Sequence, residues 1–221
     1  MLEAVLFDLD GTIAHSDPVH YATWRDILKN YDLEIDLALY EAHFSGRLNA
    51  AIIQDLLPHL SPAQGETLAQ YKEAEFRQRA IQDLKPMTGF LDLLAAVEVR
   101  SLKRAVVTNA PVENAHFMLK TLGLAERLPI VILGEALERG KPDPLPYQVA
   151  LERLGVDAAS TIAFEDSPSG VRSAVGAGIK TVGIASTQPP EVLYGLGATL
   201  VIADFTDPQL TALLKTDAME H

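Results

Sequence analysis

A parallel α/β sheet with an all-helical insertion is the fold this sequence predicts, and three observations predict it. Short apolar runs alternate with helix-period segments through the second half of the chain, at the spacing of a parallel sheet with helices on both faces. Between about residues 15 and 85 there are helix signals and no convincing strand. Two carboxylates, Asp8 and Asp10, leave the end of the first apolar run at a Gly11-Thr12 turn. Side chains two apart in a strand point the same way, so the pair converges just past a strand end. Like charges so close repel unless a cation sits between them or one carboxyl keeps its proton, which points to chemistry more than to stability.

In order, Ala4-Val5-Leu6-Phe7 is the first strand, and Asp17-Pro18 reads as N-cap and first residue of a helix. Its face is His20, Trp24, Ile27, Leu28 and Tyr31. A second helix runs from about Asn49 until Pro58 stops it. A third opens on the capping box Ser61-Pro62-Ala63-Gln64 and continues to about Asp83. From Leu84 the texture changes. A helix from Gly89 to Val97 precedes the strand Arg104 to Thr108, and Pro111 opens a helix that Gly123 closes. Pro129 to Leu133 is the next strand, Asp143-Pro144 starts a helix ended by Gly155, and Thr161 to Phe164 is a buried strand. Ser167-Pro168 caps a further helix, Gln188-Pro189-Pro190 reads as a loop, and Thr181 to Ile184 and Thr199 to Ala203 are the last strands. The expectation is a Rossmann-like core, residues 1–14 and 86–221, with a helical cap subdomain over 15–85.

Composition narrows the function. The 221 residues are 48% hydrophobic, enough for a sizeable core. Eighteen basic against 30 acidic residues give a net charge of −12, which argues against a nucleic-acid or anionic-membrane surface. With no cysteine, there are neither disulfides nor thiolate-bound metal. No apolar stretch approaches the ~18 residues of a membrane span, and Met1-Leu2-Glu3 lacks the basic start of a signal peptide. A cytoplasmic protein, with monomer as the expected state, follows. In open parallel sheets ligands bind outside the carboxyl ends of the strands, where this chain stations Asp8, Asp10, Thr108, Asn109, Glu165 and Asp166.

Asp8-Leu9-Asp10-Gly11-Thr12, Thr108-Asn109, Gly140-Lys141-Pro142-Asp143-Pro144 and Glu165-Asp166 resemble, in order, the four motifs of the haloacid dehalogenase superfamily. The insertion resembles the small cap of its subgroup of phosphoglycolate phosphatases, sugar-phosphate phosphatases and β-phosphoglucomutases. The resemblance covers nearly the whole chain, and it is the four motifs together that are specific. It implies Asp8 as a nucleophile that forms an aspartyl-phosphate, and Asp10 as the acid that protonates the leaving oxygen and then deprotonates water. It implies Mg²⁺ on Asp8, the Asp10 carbonyl and Asp166, with Glu165 at or behind the metal, and Lys141 and Thr108 on the phosphoryl group. Gly11, Thr12 and Asn109 would lie about the phosphate. His20, Gly46, Arg47 and Lys72 are the candidate substrate contacts from the cap. A small phosphorylated metabolite is the partner implied.

Asp10 favours phosphate esters over carbon–halogen bonds, which need no acid for an ester leaving group. Hydrolysis is favoured over mutase chemistry because Asn49 stands where mutases of this family place a phosphate-binding arginine, and Ala110-Pro111 where they carry polar residues. A signalling receiver domain would put its Lys-Pro last, whereas Lys141-Pro142 precedes Glu165-Asp166. A non-catalytic binding protein would not need all four motifs.

Overall fold

The structure is a computed structural model that describes residues 1–44 and 47–210. One sheet holds β1 (Ala4–Phe7), β2 (Lys103–Thr108), β3 (Val131–Leu133), β4 (Thr161–Glu165), β5 (Lys180–Ile184) and β6 (Leu200–Ile202). Its order is β3-β2-β1-β4-β5-β6, and every pairing is parallel. β1 lies between β2 and β4 and is apolar and buried along its whole length, as a strand covered on both faces must be. Phe7 pairs with Val106 on one side and Phe164 on the other. Asp8, Thr108 and Glu165 therefore reach the same carboxyl edge, at the point where the strand order reverses.

Five helices, α1 (Asp17–Leu28), α2 (Leu37–His43), α3 (Asn49–Leu56), α4 (Pro62–Asp83) and α5 (Phe90–Val99), lie between β1 and β2. Helices α6 (Val112–Thr121), α7 (Leu145–Leu154), α8 (Pro168–Gly176) and α9 (Pro190–Gly195) follow in the second half. Alternate strand residues serve opposite faces of the sheet. Phe7, Val106 and Phe164 pack with Phe90, Leu94 and Met118, while Leu6, Val107 and Ala163 pack with Tyr147, Ala150 and Ala174. The insertion has an apolar core of its own, built on Trp24, Leu28, Tyr40, Phe44, Ile52 and Leu68. α4 joins the two bodies. Leu68 belongs to the insertion's core, and Phe76 and Ala80, further along the same helix, belong to the sheet's. The insertion is a helical cap over the carboxyl edge of the sheet. Among the described residues no helix is long and apolar enough to cross a membrane.

Local expectations differ from the structure in a few places. Helix α1 begins at Asp17 with Ser16, not Asp17, at the N-cap position; the Ser16 hydroxyl makes no cap bond and is donated to Asp10. The capping box of α4 is present as expected. α2 was not anticipated: Asp36 caps it by accepting from the Leu39 N–H, but its seven residues leave Leu37 and Leu39 exposed, so no apolar stripe announces it. The short α9 stands where a loop was expected, because Pro190 sits where proline opens a helix as readily as it breaks one. α7 starts at Leu145, and the Asp143 carboxylate accepts from the Leu145 N–H ahead of it.

Candidate active site

Asp8, Asp10, Thr108, Asn109, Lys141 and Asp166 line a single cavity of about 660 Å³ between the sheet edge and the cap. Lys141 is its pivot. Its Nζ donates to Asp8 Oδ1 at 2.6 Å and to Glu165 Oε1 at 2.5 Å, with the lysine and glutamate side chains 3% and 0% exposed. Burial works against the ammonium, but Asp8 and then Glu165 outweigh it and push Lys141 up to about 12. The lysine's backbone is clasped by Asn109, whose amide accepts from Lys141 N–H and donates to Lys141 C=O, each at 3.0 Å. Asn109 thus spends both ends of its side chain on the Lys141 loop. The Thr108 hydroxyl accepts from the Ala110 N–H at 2.9 Å, which leaves its own proton to be donated elsewhere.

Asp8 and Asp10 go separate ways. Burial drives Asp8 well above the usual carboxylate range, with Lys141 pulling against it. Asp10 Oδ1 accepts from Ser16 Oγ at 2.6 Å and lies 3.1 Å from His20 Nε2. Burial opposes its ionisation too, but the bonds from His20 and Ser16 win and hold it below the usual range. Lys72 Nζ lies 2.8 Å from His20 Nδ1. An ammonium can only donate, so Nδ1 is the acceptor and the ring proton sits on Nε2, facing Asp10. His20 also stacks flat on Phe76, centroids 3.8 Å apart, so packing and polar contact coexist in one ring.

Asp166 is pushed well above the usual range by burial and by Asp8. It accepts from Thr12 Oγ1 at 3.1 Å and from Thr187 Oγ1 at 2.8 Å. Thr12 is fully buried behind the aspartate. Gly11 has φ +72°, and a Cβ there would overlap the Asp166 carboxylate, so only glycine fits. Asp8, Glu165 and Asp166, all buried, each offer an oxygen within 4.8 Å of the others. One oxygen of Glu165, Oε2, is buried without a hydrogen-bond partner. Three hard oxygen donors, two of them short of compensating positive charge, fit a divalent cation.

The cap residues are placed less uniformly. Lys72 is buried, on His20 and Glu73. Arg47 lines the cavity but points to Asp55 Oδ2 at 2.6 Å and to the His43 carbonyl. Gly46 lies outside the described residues. Sequence reasoning missed several partners. Tyr147 donates to Glu165 Oε1 at 2.6 Å beneath Lys141, Thr187 holds Asp166, and Tyr40 donates to the half-buried Asp17 at 2.8 Å. Glu73 and Asn114 meet across the boundary between cap and core. Only Asp17 had a signal, as a carboxylate seven residues after the motif pair.

The family model of the haloacid dehalogenase-like hydrolases matches residues 5–184. The chain belongs to that family. A validoxylamine A 7'-phosphate phosphatase of Streptomyces hygroscopicus is 29% identical over 210 residues, 94% of this chain and 96% of the relative. A phosphoglycolate phosphatase of Rhodospirillum rubrum is 33% identical over 217 residues, covering 93% and 88%. A crystal structure of a haloacid dehalogenase (HAD) hydrolase of family IA, variant 3, from Entamoeba histolytica superposes with a TM-score of 0.86 at 28% identity, over 96% of this chain and 99% of that one. With such relatives along nearly its whole length, the chain is a phosphatase of this haloacid dehalogenase-like family.

Proposed function

We propose that this protein is a Mg²⁺-dependent phosphatase that hydrolyses a small phosphomonoester through an aspartyl-phosphate on Asp8. The observation that carries the reading is the division of the motif pair: Asp8 is held by Lys141 on the sheet side, and Asp10 by His20 and Ser16 on the cap side. One carboxylate is thereby aimed at phosphorus and the other at the leaving oxygen.

In this reading Lys141, and the Mg²⁺ once bound, would keep Asp8 ionised, while the anionic phosphate arriving beside Asp10 raises it so that it carries a proton. A carboxylate oxygen of Asp8 attacks phosphorus, the ester P–O bond breaks, and the leaving oxygen takes that proton from Asp10. Water then attacks the phosphorus of the acyl phosphate, gives its proton to Asp10, and inorganic phosphate departs with Asp8 restored. His20 Nε2–H, fixed in that tautomer by Lys72, supports the charge on Asp10 between the two steps. Lys141 and the Thr108 hydroxyl stabilise the equatorial oxygens, and Asn109 keeps Lys141 in place. Asp8, Asp166 and Glu165 would hold the Mg²⁺, which supplies charge neutralisation for the transferring group.

A purified sample assayed with p-nitrophenyl phosphate tests the reading. Turnover that requires Mg²⁺, stops with a chelator and returns on adding the ion back is the expected result. Sustained turnover in excess chelator, or none with the ion present, would refute it.

A further inference from the structure

Resting on that reading, the cap side of the cavity also constrains what lies beyond the scissile bond. Among the described residues three cations of lysine or arginine line this half, Arg47, Lys72 and Arg77, and each already holds a carboxylate. Lys72 Nζ is 2.7 Å from Glu73 Oε1, Arg77 Nη2 is 3.0 Å from Glu113 Oε2, and Arg47 Nη2 is 2.6 Å from Asp55 Oδ2.

The pairs differ in what recruiting the cation would cost. Arg47 and Asp55 are exposed, and such pairs are weak. Lys72 and Glu73 have side chains only 3% and 8% exposed. Turning Lys72 toward a second anion would strand a buried carboxylate, a far larger penalty. Glu73 is itself fixed: Asn49 donates to Oε1, and Asn114, from helix α6 of the core, donates to Oε2. Arg77 is held in the same network through Asn114 Oδ1 at 2.7 Å. Glu66 also lies on the cavity wall of this half, and Glu135 faces the cavity from the core.

We infer that the cap selects a neutral, hydroxylated leaving group, a sugar or polyol monophosphate, and disfavours esters that carry a carboxylate or a second phosphate, with Glu73 as the residue that sets this preference. A carboxylate has about four acceptor positions, and three donors occupy Glu73, so one is left for a substrate hydroxyl. A hydroxyl satisfies that position. A second anion there meets a like charge and an already neutralised lysine.

Matched ester pairs test this without any mutation. The wild-type protein with Mg²⁺ is assayed on 2-hydroxyethyl phosphate against phosphoglycolate, and on glucose 6-phosphate against glucose 1,6-bisphosphate. The expected kcat/KM favours the neutral member of each pair by at least about tenfold, equivalent to ~1.4 kcal/mol of discrimination. Equal rates, or a preference for the anionic member, overturn the inference. Glu73→Gln keeps the shape and releases the charge of Lys72, so kcat/KM for the anionic members should rise and the ratio shrink about tenfold. An unchanged ratio in a folded Glu73→Gln protein overturns the role of Glu73, and should that variant not fold, the wild-type ratios decide. Turnover of p-nitrophenyl phosphate separates the two levels: activity on it with anionic esters preferred removes this inference alone, and inactivity removes the phosphatase reading with it.

Discussion

The floor and the roof of the cavity both bury carboxylates, and they treat them in opposite ways. On the floor, burial and mutual repulsion hold Asp8 and Asp166 well above the usual range, with Lys141 shared between Asp8 and Glu165. In the roof, burial also works against Glu73, but Lys72, His20 and Asn49 prevail and keep it below the ordinary value. The roof is electrically complete, whereas the floor is short of positive charge. The difference separates chemistry from selection: the floor gains by taking up a cation and a phosphoryl group, and the roof gains nothing from a further anion.

Four perturbations sharpen or break this contrast. The largest effect is expected from Asp8→Asn, which removes the nucleophile with almost no change of volume. Its kcat on p-nitrophenyl phosphate should fall by about four orders of magnitude or more while circular dichroism stays unchanged. Retained activity would dismiss the floor as the reaction centre. Lys141→Met comes next, leaving Asp8 and Glu165 buried without their cation. A loss of about 3–5 kcal/mol in urea denaturation is expected, partly restored by divalent metal; no loss would show that the lysine does not neutralise the pair.

His20→Ala removes the donor that faces Asp10. Because a good leaving group needs little protonation, kcat should fall about 10²-fold on an alkyl phosphate and much less on p-nitrophenyl phosphate. Equal losses on both substrates would assign His20 to packing on Phe76 alone. The smallest of the four effects is a pH dependence. Glu73 has its folded pKa depressed, so its contribution to stability is present above the unfolded value of 4.5 and is lost as pH falls through the folded one. Asp8 and Asp166 have theirs raised, so they oppose folding at neutral pH, and that cost eases on acidification. Trp24, the single tryptophan, sits in the cap core and reports this unfolding by fluorescence. Below pH 4.5 the urea midpoint of the wild type should fall further than that of Glu73→Gln; parallel curves would contradict the roof's half of the comparison.

The sequence made the floor legible and the roof nearly illegible, for a physical reason. Asp8, Asp10 and Asp166 sit at strand ends, where position marks them, whereas Lys141 reads by itself as a loop lysine and only the resemblance of Gly140-Lys141-Pro142 to a family motif gives it a role. Their contacts span the chain, since Lys141 and Asp8 are 133 residues apart, but the parallel sheet delivers them to one edge. The roof depends on side chains that read as ordinary helix residues. Glu73 looks like a solvated charge of α4 until Asn114, 41 residues away, closes on it. Tyr147 looks like a core aromatic, and only its hydroxyl, on Glu165, gives it a second role. His20 shows the same limit within one residue. Helical spacing put it on an apolar face with Trp24, and the structure stacks it on Phe76, but no pattern could place its two nitrogens between Asp10 and Lys72.

The most direct test of the central claim is to catch the covalent intermediate. The enzyme is quenched in acid during turnover of a phosphomonoester, reduced with borohydride, and its peptides are sequenced by mass spectrometry. The account predicts reduction of the acyl phosphate at Asp8 in the wild type, with none in Asp8→Asn. Modification at another carboxylate during undiminished turnover would contradict it.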